Sequence, residues 1–282
     1  MSGPSGDSIG IIAGSGAFPV EIAASLQRSG RKVFVVGLRG FAERRIRDFP
    51  HLYADMLDPH ALLSALKHRN ISSVILAGGV SRPGPLALLS IYTFFRNRDE
   101  LRKIVTGGDD RILRGVIRLF EEAGIKVLGV GEAAADLLAQ KGTMGQIAPP
   151  PAVDQDIDLA LECLAKMAQF DFGQGVVVAD GRILAVEGPE GTDAMLKRVY
   201  EMQKNRRVTL DRQSAILVKA SKKGQDRRVD LPAIGPRTIE LAKRAGLIGI
   251  AVEADQVILV ERQALLDAAD RNGMFVTGVT IR

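Results

Sequence analysis

The sequence predicts an α/β protein in two domains, and three observations carry that reading. Its 282 residues suit two domains at about 150 residues each. β-Branched apolar runs at 9–13, 33–37, 74–77 and 127–130 read as strands buried on both faces, and amphipathic stretches at 20–29, 61–68, 99–105 and 111–123 alternate with them. That alternation gives a parallel sheet covered by helices, so residues 1–136 are expected to form a Rossmann-like domain. Beyond Pro151 the order changes, which is the third observation.

A helix at 156–170 is followed by strands at 176–179 and 183–187, joined by Asp180-Gly181, a dipeptide that favours a tight hairpin turn. A helix at 193–204, a strand at 215–219, a helix at 237–245 and strands at 248–252, 257–260 and 275–280 complete the chain. Antiparallel pairing therefore enters, and residues 137–282 are expected to form a mixed α/β domain. Pro149, Pro150 and Pro151 cannot continue a helix and mark a stiff connection just inside it.

Composition narrows the chemistry. Apolar residues make up 46% and charged residues 25%, a globular mix that excludes disorder and collagen-like structure. The net charge of +5 suits an anionic partner: a nucleotide, a nucleic acid or an anionic membrane surface. Cys163 is the sole cysteine, so there is no disulfide framework and no thiolate cluster for zinc. The three histidines, His51, His60 and His68, fall in the first quarter, so a metal in the second half must be held by oxygen. The first residues lack a basic and apolar leader, and the longest apolar stretch, 86–95, is half of what spans a bilayer. A cytoplasmic protein with at most peripheral membrane attachment is expected.

Four loops could carry chemistry. The first strand runs into Gly14-Ser15-Gly16-Ala17-Phe18-Pro19, where glycine permits close backbone approach and a helix start offers free N–H groups to phosphate. A dinucleotide fingerprint would need a third glycine at position 19 and an acid after the second strand, and neither is present. An NADP-dependent oxidoreductase using this turn and Arg39 is the rival enzyme reading. Gly107-Gly108-Asp109-Asp110, Glu190-Gly191-Thr192-Asp193 and Ile234-Gly235-Pro236-Arg237 also precede helical patterns. Asp109 and Thr192 suit N-caps and Asp110 and Asp193 suit the helix dipole, a purely structural use for each. Carboxylates at a phosphate-facing helix start would instead need a cation or sugar hydroxyls beside them, which points to a nucleotide-sugar with Mg2+.

The densest polar segment, Lys219-Ala220-Ser221-Lys222-Lys223-Gly224-Gln225-Asp226-Arg227-Arg228-Val229-Asp230, directly follows an apolar strand. It is either a solvated charged loop or a set of cations neutralising a diphosphate around Asp226 and Asp230. Residues 86–95 are apolar on nearly every helical face, which suits either core or a lipid groove. A non-catalytic basic nucleic-acid-binding protein is a further rival, but the chain has no Trp and only three Tyr for stacking on bases, so no nucleic-acid partner is expected.

Taken together, Ile12-Ala13-Gly14-Ser15-Gly16-Ala17-Phe18-Pro19, Gly107-Gly108-Asp109-Asp110, Ala185-Val186-Glu187-Gly188-Pro189-Glu190-Gly191-Thr192-Asp193 and Gln225-Asp226-Arg227-Arg228-Val229-Asp230-Leu231-Pro232 resemble the LpxI type of bacterial UDP-2,3-diacylglucosamine pyrophosphatase over essentially the whole chain. The resemblance implies Mg2+-dependent hydrolysis in lipid A biosynthesis, releasing UMP and 2,3-diacylglucosamine 1-phosphate. It also implies a lipid-sugar held between two domains and transient contact with the inner face of the inner membrane; a homodimer is allowed. By motif, Asp226 is the expected catalytic residue and metal ligand, with Asp230 second. Gly14, Ser15, Gly16, Gly78, Arg82, Gly108, Asp109, Gly191, Thr192, Asp193, Lys219, Gln225 and Arg227 are the expected substrate contacts. Many members carry Ala-Gly-Lys after the third strand, where this chain reads Ala77-Gly78-Gly79-Val80-Ser81-Arg82.

Overall fold

The computed structural model describes residues 8–80, 109–170, 172–207, 214–222 and 226–281. The expected elements at 86–95 and 99–105, and the expected contacts Arg82, Gly108 and Gln225, lie outside these residues. The chain divides into two compact units. The first comprises Met1–Asp136 together with Asp226–Asp230, and the second Leu137–Gln225 together with Leu231–Arg282. The segment carrying Asp226 therefore belongs to the first unit, whereas the sequence reading assigned it, as part of 137–282, to the second domain.

The first unit is built on a five-stranded parallel sheet of order β3-β2-β1-β4-β5, formed by β1 Ile9–Ala13, β2 Val33–Leu38, β3 His51–Ala54, β4 Ser73–Ala77 and β5 Lys126–Val127. Alternation along the strands divides the core. Ile12, Val36 and Val74 pack with Leu62, Leu63 and Leu66 of helix α2 Pro59–Lys67 and with Ile117 and Phe120 of α3 Asp109–Glu122. Helix α1 Phe18–Arg28, which buries Val20, Ile22 and Leu26, packs against β1 and β2. The chain runs β1-β2-β3 toward one edge and then returns past β1 to lay down β4 and β5. The strand order thus reverses between β1 and β4, and in open α/β sheets ligands bind at such a point, outside the carboxyl ends of the strands.

The second unit holds a six-stranded mixed sheet of order β6-β13-β11-β9-β7-β8. Its strands are β6 Gly142–Thr143, β7 Gly175–Ala179, β8 Arg182–Val186, β9 Ile216–Lys219, β11 Gly249–Glu253 and β13 Phe275–Val279; β10 Ala233–Ile234 and β12 Ile258–Leu259 form a separate pair. Val176, Val178, Ile216, Val218 and Phe275 face helix α4 Asp154–Met167. Their neighbours Val177, Leu217, Ile250 and Val276 face α5 Thr192–Lys204, α6 Pro236–Arg244 and α7 Arg262–Arg271. Asp180 and Gly181 both have positive φ, 51° and 71°, the signature of the tight hairpin turn that the dipeptide predicts. Besides the two-residue strands β6 and β10, β3 and α7 escape the sequence reading. β3 is half-exposed and follows Pro50, and α7 starts from Glu261, which is left-handed and makes no side-chain cap, so neither strand composition nor capping chemistry marks them.

Candidate active site

The carboxyl edge of the first unit's sheet holds the Gly14-Ser15-Gly16 loop and, beside it, the Gly78-Gly79 loop. Gly14, directly after β1, donates its N–H to the Ala77 carbonyl at 2.8 Å. Ser15 and Gly79 exchange backbone hydrogen bonds of 2.8 and 3.0 Å, and the Ser15 hydroxyl donates to the Gly79 carbonyl at 2.9 Å. The loops after β1 and β4 are thus knitted together at the point where strand order reverses. Only glycine fits there: Gly78 has φ +87°, and a Cβ on it would lie 2.6 Å from the Ser15 carbonyl oxygen. A Cβ on Gly14 would lie 2.5 Å from the Gly79 carbonyl oxygen. Ser15, Gly16 and Gly78 are exposed, so this edge presents backbone rather than side chains to solvent.

The Asp226 turn lies past the carboxyl end of the neighbouring strand β5. A Cβ on Gly129, two residues beyond β5, would come 3.3 Å from the Arg228 Cα. The Asp226 carbonyl accepts from the Val229 and Asp230 N–H groups at 3.1 and 3.2 Å, winding 226–230 into a single turn. Val229 packs onto the first unit's core. The Asp226 carboxylate takes three hydrogen bonds from one residue: Oδ1 accepts from the Arg228 N–H at 3.1 Å and from Nε at 2.8 Å, and Oδ2 accepts from Nη2 at 2.7 Å. The remaining guanidinium nitrogen, Nη1, donates to Glu121 of α3 at 2.6 Å. The hydrogen bond from Arg228 is the largest cause holding the Asp226 carboxyl below the usual range, partly opposed by burial, and the Arg114 charge adds to the lowering. Sequence reasoning gave Arg227 as a substrate contact and left Arg228 unassigned; the residue that grips Asp226 is Arg228, while Arg227 is exposed and makes no ion pair among the described residues. The spacing Asp-x-Arg, with both groups in one turn, is the signal that could have found it.

In the second unit, β9 ends in Lys219, whose side chain is only 5% exposed. Its Nζ donates to the Thr192 hydroxyl at 2.7 Å and lies 3.6 Å from Glu187 Oε2. The Thr192 hydroxyl donates in turn to Glu187 Oε1 at 2.7 Å, and the Gln174 N–H reaches Oε2 at 3.1 Å. Thr192 is therefore not the expected N-cap: Gly191, at φ +81°, takes that position and the hydroxyl is spent on Glu187. Asp193 pairs with Arg237 Nε at 2.7 Å. The structure thus brings Thr192, Asp193 and Lys219 together, and adds Glu187 and Arg237, which the sequence reading left out. An acid closing the apolar run Ile183-Leu184-Ala185-Val186 was the available sign for Glu187. Glu253, last in β11, accepts from both the N–H and the hydroxyl of Ser221 at 2.7 Å, anchoring the chain that leaves β9. Asp109 opens α3, and Asp230 closes the 226–230 turn.

Breaking the buried Lys219–Glu187 pair leaves a carboxylate short of its cation. Lys219→Met is therefore expected to cost about 3 kcal/mol of stability. Urea unfolding of the two proteins measures it, and equal midpoints would show that the pair contributes nothing.

The donor set bears on Mg2+. Among the described residues no group of three or more His, Cys, Asp or Glu is arranged to hold a metal. A carboxylate offers about four lone-pair positions. Arg228 takes three on Asp226, which leaves one on Oδ2 among the described residues. That fits the Mg2+ mode in which one or two carboxylates and substrate phosphates share the ion with water, and not an all-protein cage. Among the described residues no helix is long and apolar enough to cross a membrane.

Two family models match the chain, described as the LpxI N-terminal domain over residues 8–137 and the LpxI C-terminal domain over residues 140–277. The chain belongs to the LpxI family. Within this family a relative from Caulobacter vibrioides, UDP-2,3-diacylglucosamine pyrophosphatase LpxI, is 39% identical over 271 residues, covering 96% of this chain and 97% of its own. Solved structures are similar only remotely. The UDP-glucose 4-epimerase of Thermus thermophilus in complex with NAD is 10% identical, covering 97% of this chain and 86% of its own, with a TM-score of 0.32. A GalE-like L-threonine dehydrogenase from Cupriavidus necator is 13% identical, covering 96% and 95%, with a TM-score of 0.30. At those scores the epimerase and dehydrogenase bear on neither the fold nor the chemistry of this LpxI family member.

Proposed function

We propose that this LpxI family member hydrolyses the pyrophosphate bond of UDP-2,3-diacylglucosamine, with Mg2+, to UMP and 2,3-diacylglucosamine 1-phosphate in lipid A biosynthesis. The observation that carries the reading is an anionic Asp226 at the carboxyl edge of the sheet, in a chain related end to end to a relative named for this substrate. In the reaction a water oxygen bonds to one phosphorus, the bridging P–O bond breaks, and the water proton passes to solvent or a base. Bound Mg2+ supplies Lewis-acid polarisation of the phosphoryl oxygens. Asp226 holds its free Oδ2 position toward the diphosphate, and its lowered pKa makes it a better holder of positive charge than a proton acceptor near neutral pH. Asp230 is the second acidic group of the same turn. Gly14, Ser15, Gly16 and Gly78 bring backbone close to the ligand at the point of strand reversal. Asp109, Gly191, Thr192, Asp193 and Arg227 bind the sugar phosphate or the nucleotide. Lys219, neutralised by Glu187, acts by fixing Thr192. The net charge of +5 favours transient contact with an anionic membrane that carries the diacyl substrate.

Incubation with UDP-2,3-diacylglucosamine in detergent tests this. UMP release that stops with EDTA and returns with Mg2+ is the expected result. Folded protein that releases no UMP with Mg2+ present would sink the proposal.

A further inference from the structure

We propose that Arg228 is a positioning residue that holds the Asp226 carboxylate in one orientation, and that Glu121 holds Arg228 in turn. The inference rests on the proposed hydrolysis for its kinetic meaning, but the geometry belongs to the turn itself. A free Asp side chain on an exposed turn rotates about two bonds. Here Nε, Nη2 and the backbone N–H of a residue two positions on grip both oxygens, at 2.7 to 3.1 Å. The fork is planar and fixed, so it dictates the plane of the carboxylate, which a lysine ammonium cannot do. Nη1 points the other way and meets Glu121 at 2.6 Å, near the end of α3. Because Glu121 closes the free end of the guanidinium, Arg228 is anchored to a helix and not only to its own turn. The side chains of Asp226 and Arg228 are 21% and 36% exposed, so the pair is open to solvent. Three components thus stand in line: a helix carboxylate, a guanidinium and the carboxylate proposed for the chemistry.

Three variants and one NMR measurement decide the matter in the intact protein. Arg228→Lys keeps the charge and loses the fork. It is expected to lower kcat for UMP release roughly 10- to 100-fold with KM changed less than about threefold, because orientation in the transition state is lost rather than ground-state binding. Glu121→Gln touches no Asp226 atom and is expected to lower kcat roughly threefold to tenfold, again without a KM effect; it also serves if Arg228→Lys folds poorly. Adding Arg228→Lys to Asp226→Asn is expected to cost nothing further, since the two act as one unit. Full kcat in Arg228→Lys would overturn the proposal, as would multiplicative loss in the double variant. The side-chain NMR couplings of Asp226 stand apart from activity: the parent is expected to show a single χ1 rotamer and Arg228→Lys an averaged one. The same single rotamer in Arg228→Lys overturns the positioning role even if UMP release is real. A rotamer that becomes averaged in Arg228→Lys, in a protein whose parent form releases no UMP, overturns the proposed reaction and leaves the Arg228 contact standing.

Discussion

Replacing Asp226 by Asn is expected to lower kcat for UMP release by roughly a thousandfold or more, with little change in melting temperature. Asparagine keeps the shape of the side chain, and its carbonyl oxygen can still accept from the Arg228 N–H and Nε. It removes the negative charge, however, and sets an NH2 group against the Nη2 donor that now lies 2.7 Å from Oδ2. Stability suffers little, because the pair is partly exposed and solvent screens it. Activity suffers heavily, because the free Oδ2 position is the one an ion or the diphosphate would meet. Steady-state UMP release and thermal unfolding on the same samples check both halves. More than a tenth of parental kcat in a folded Asp226→Asn protein would take Asp226 out of the centre of the chemistry. The pH dependence has a definite sign. The folded-state pKa of Asp226 lies below that of an unfolded Asp, about 3.9, so whatever stability the Arg228 pairing contributes is fully present above about pH 4. It is lost only as pH falls through the folded-state value. An acid limb in the rate between pH 5 and 7 would consequently belong to a group other than Asp226.

Gly78→Ala is expected to destabilise the first unit by about 3 kcal/mol or more. Two costs add. A residue with a Cβ at φ +87° is strained by about 1–3 kcal/mol. The new methyl would also meet backbone, the Ser15 carbonyl oxygen at 2.6 Å and the Gly14 carbonyl carbon at 2.9 Å, which cannot swing aside as a flexible side chain does. Gly40 separates the two costs: it has a similar φ of +82° but no atom within 4 Å of its would-be Cβ. Gly40→Ala should therefore show the conformational cost alone. Urea unfolding of both variants makes the comparison, and equal destabilisation would mean that the loops after β1 and β4 are not locked together.

Much of this was legible in the sequence, for physical reasons that differ by element. β1 announced itself because a strand buried on both faces has to be a continuous apolar run, and 9–13 is one. The hairpin was readable because Asp180-Gly181 supplies the two positive φ angles that the turn demands. β3 was not, since an edge strand of His51-Leu52-Tyr53-Ala54 is only partly buried and carries no β-branched residue. At the candidate site, Asp226 stood out by its motif, but its partner did not. Arg227 and Arg228 are chemically identical, and only the winding of the turn decides which guanidinium folds back on the carboxylate. Lys219 read as one of a set of cations because it opens the polar segment that continues through Ser221, Lys222 and Lys223. Its neutralisation by Glu187 comes through pairing across the sheet, where Gly175 of β7 stands opposite Lys219 of β9, and no local pattern records it.

The passage of Asp226–Asp230 into the first unit constrains how such a chain can be inherited. Five residues encoded in the last fifth of the sequence are structural property of the first half, where Arg228 meets Glu121 and Val229 joins the core. A recombination event joining two relatives near residue 137 would therefore marry one parent's Asp226 turn to the other parent's α3. Neither half can be exchanged as an independent cassette, and a change at Glu121 or at Gly129 on one side calls for a matching change at 226–230 on the other.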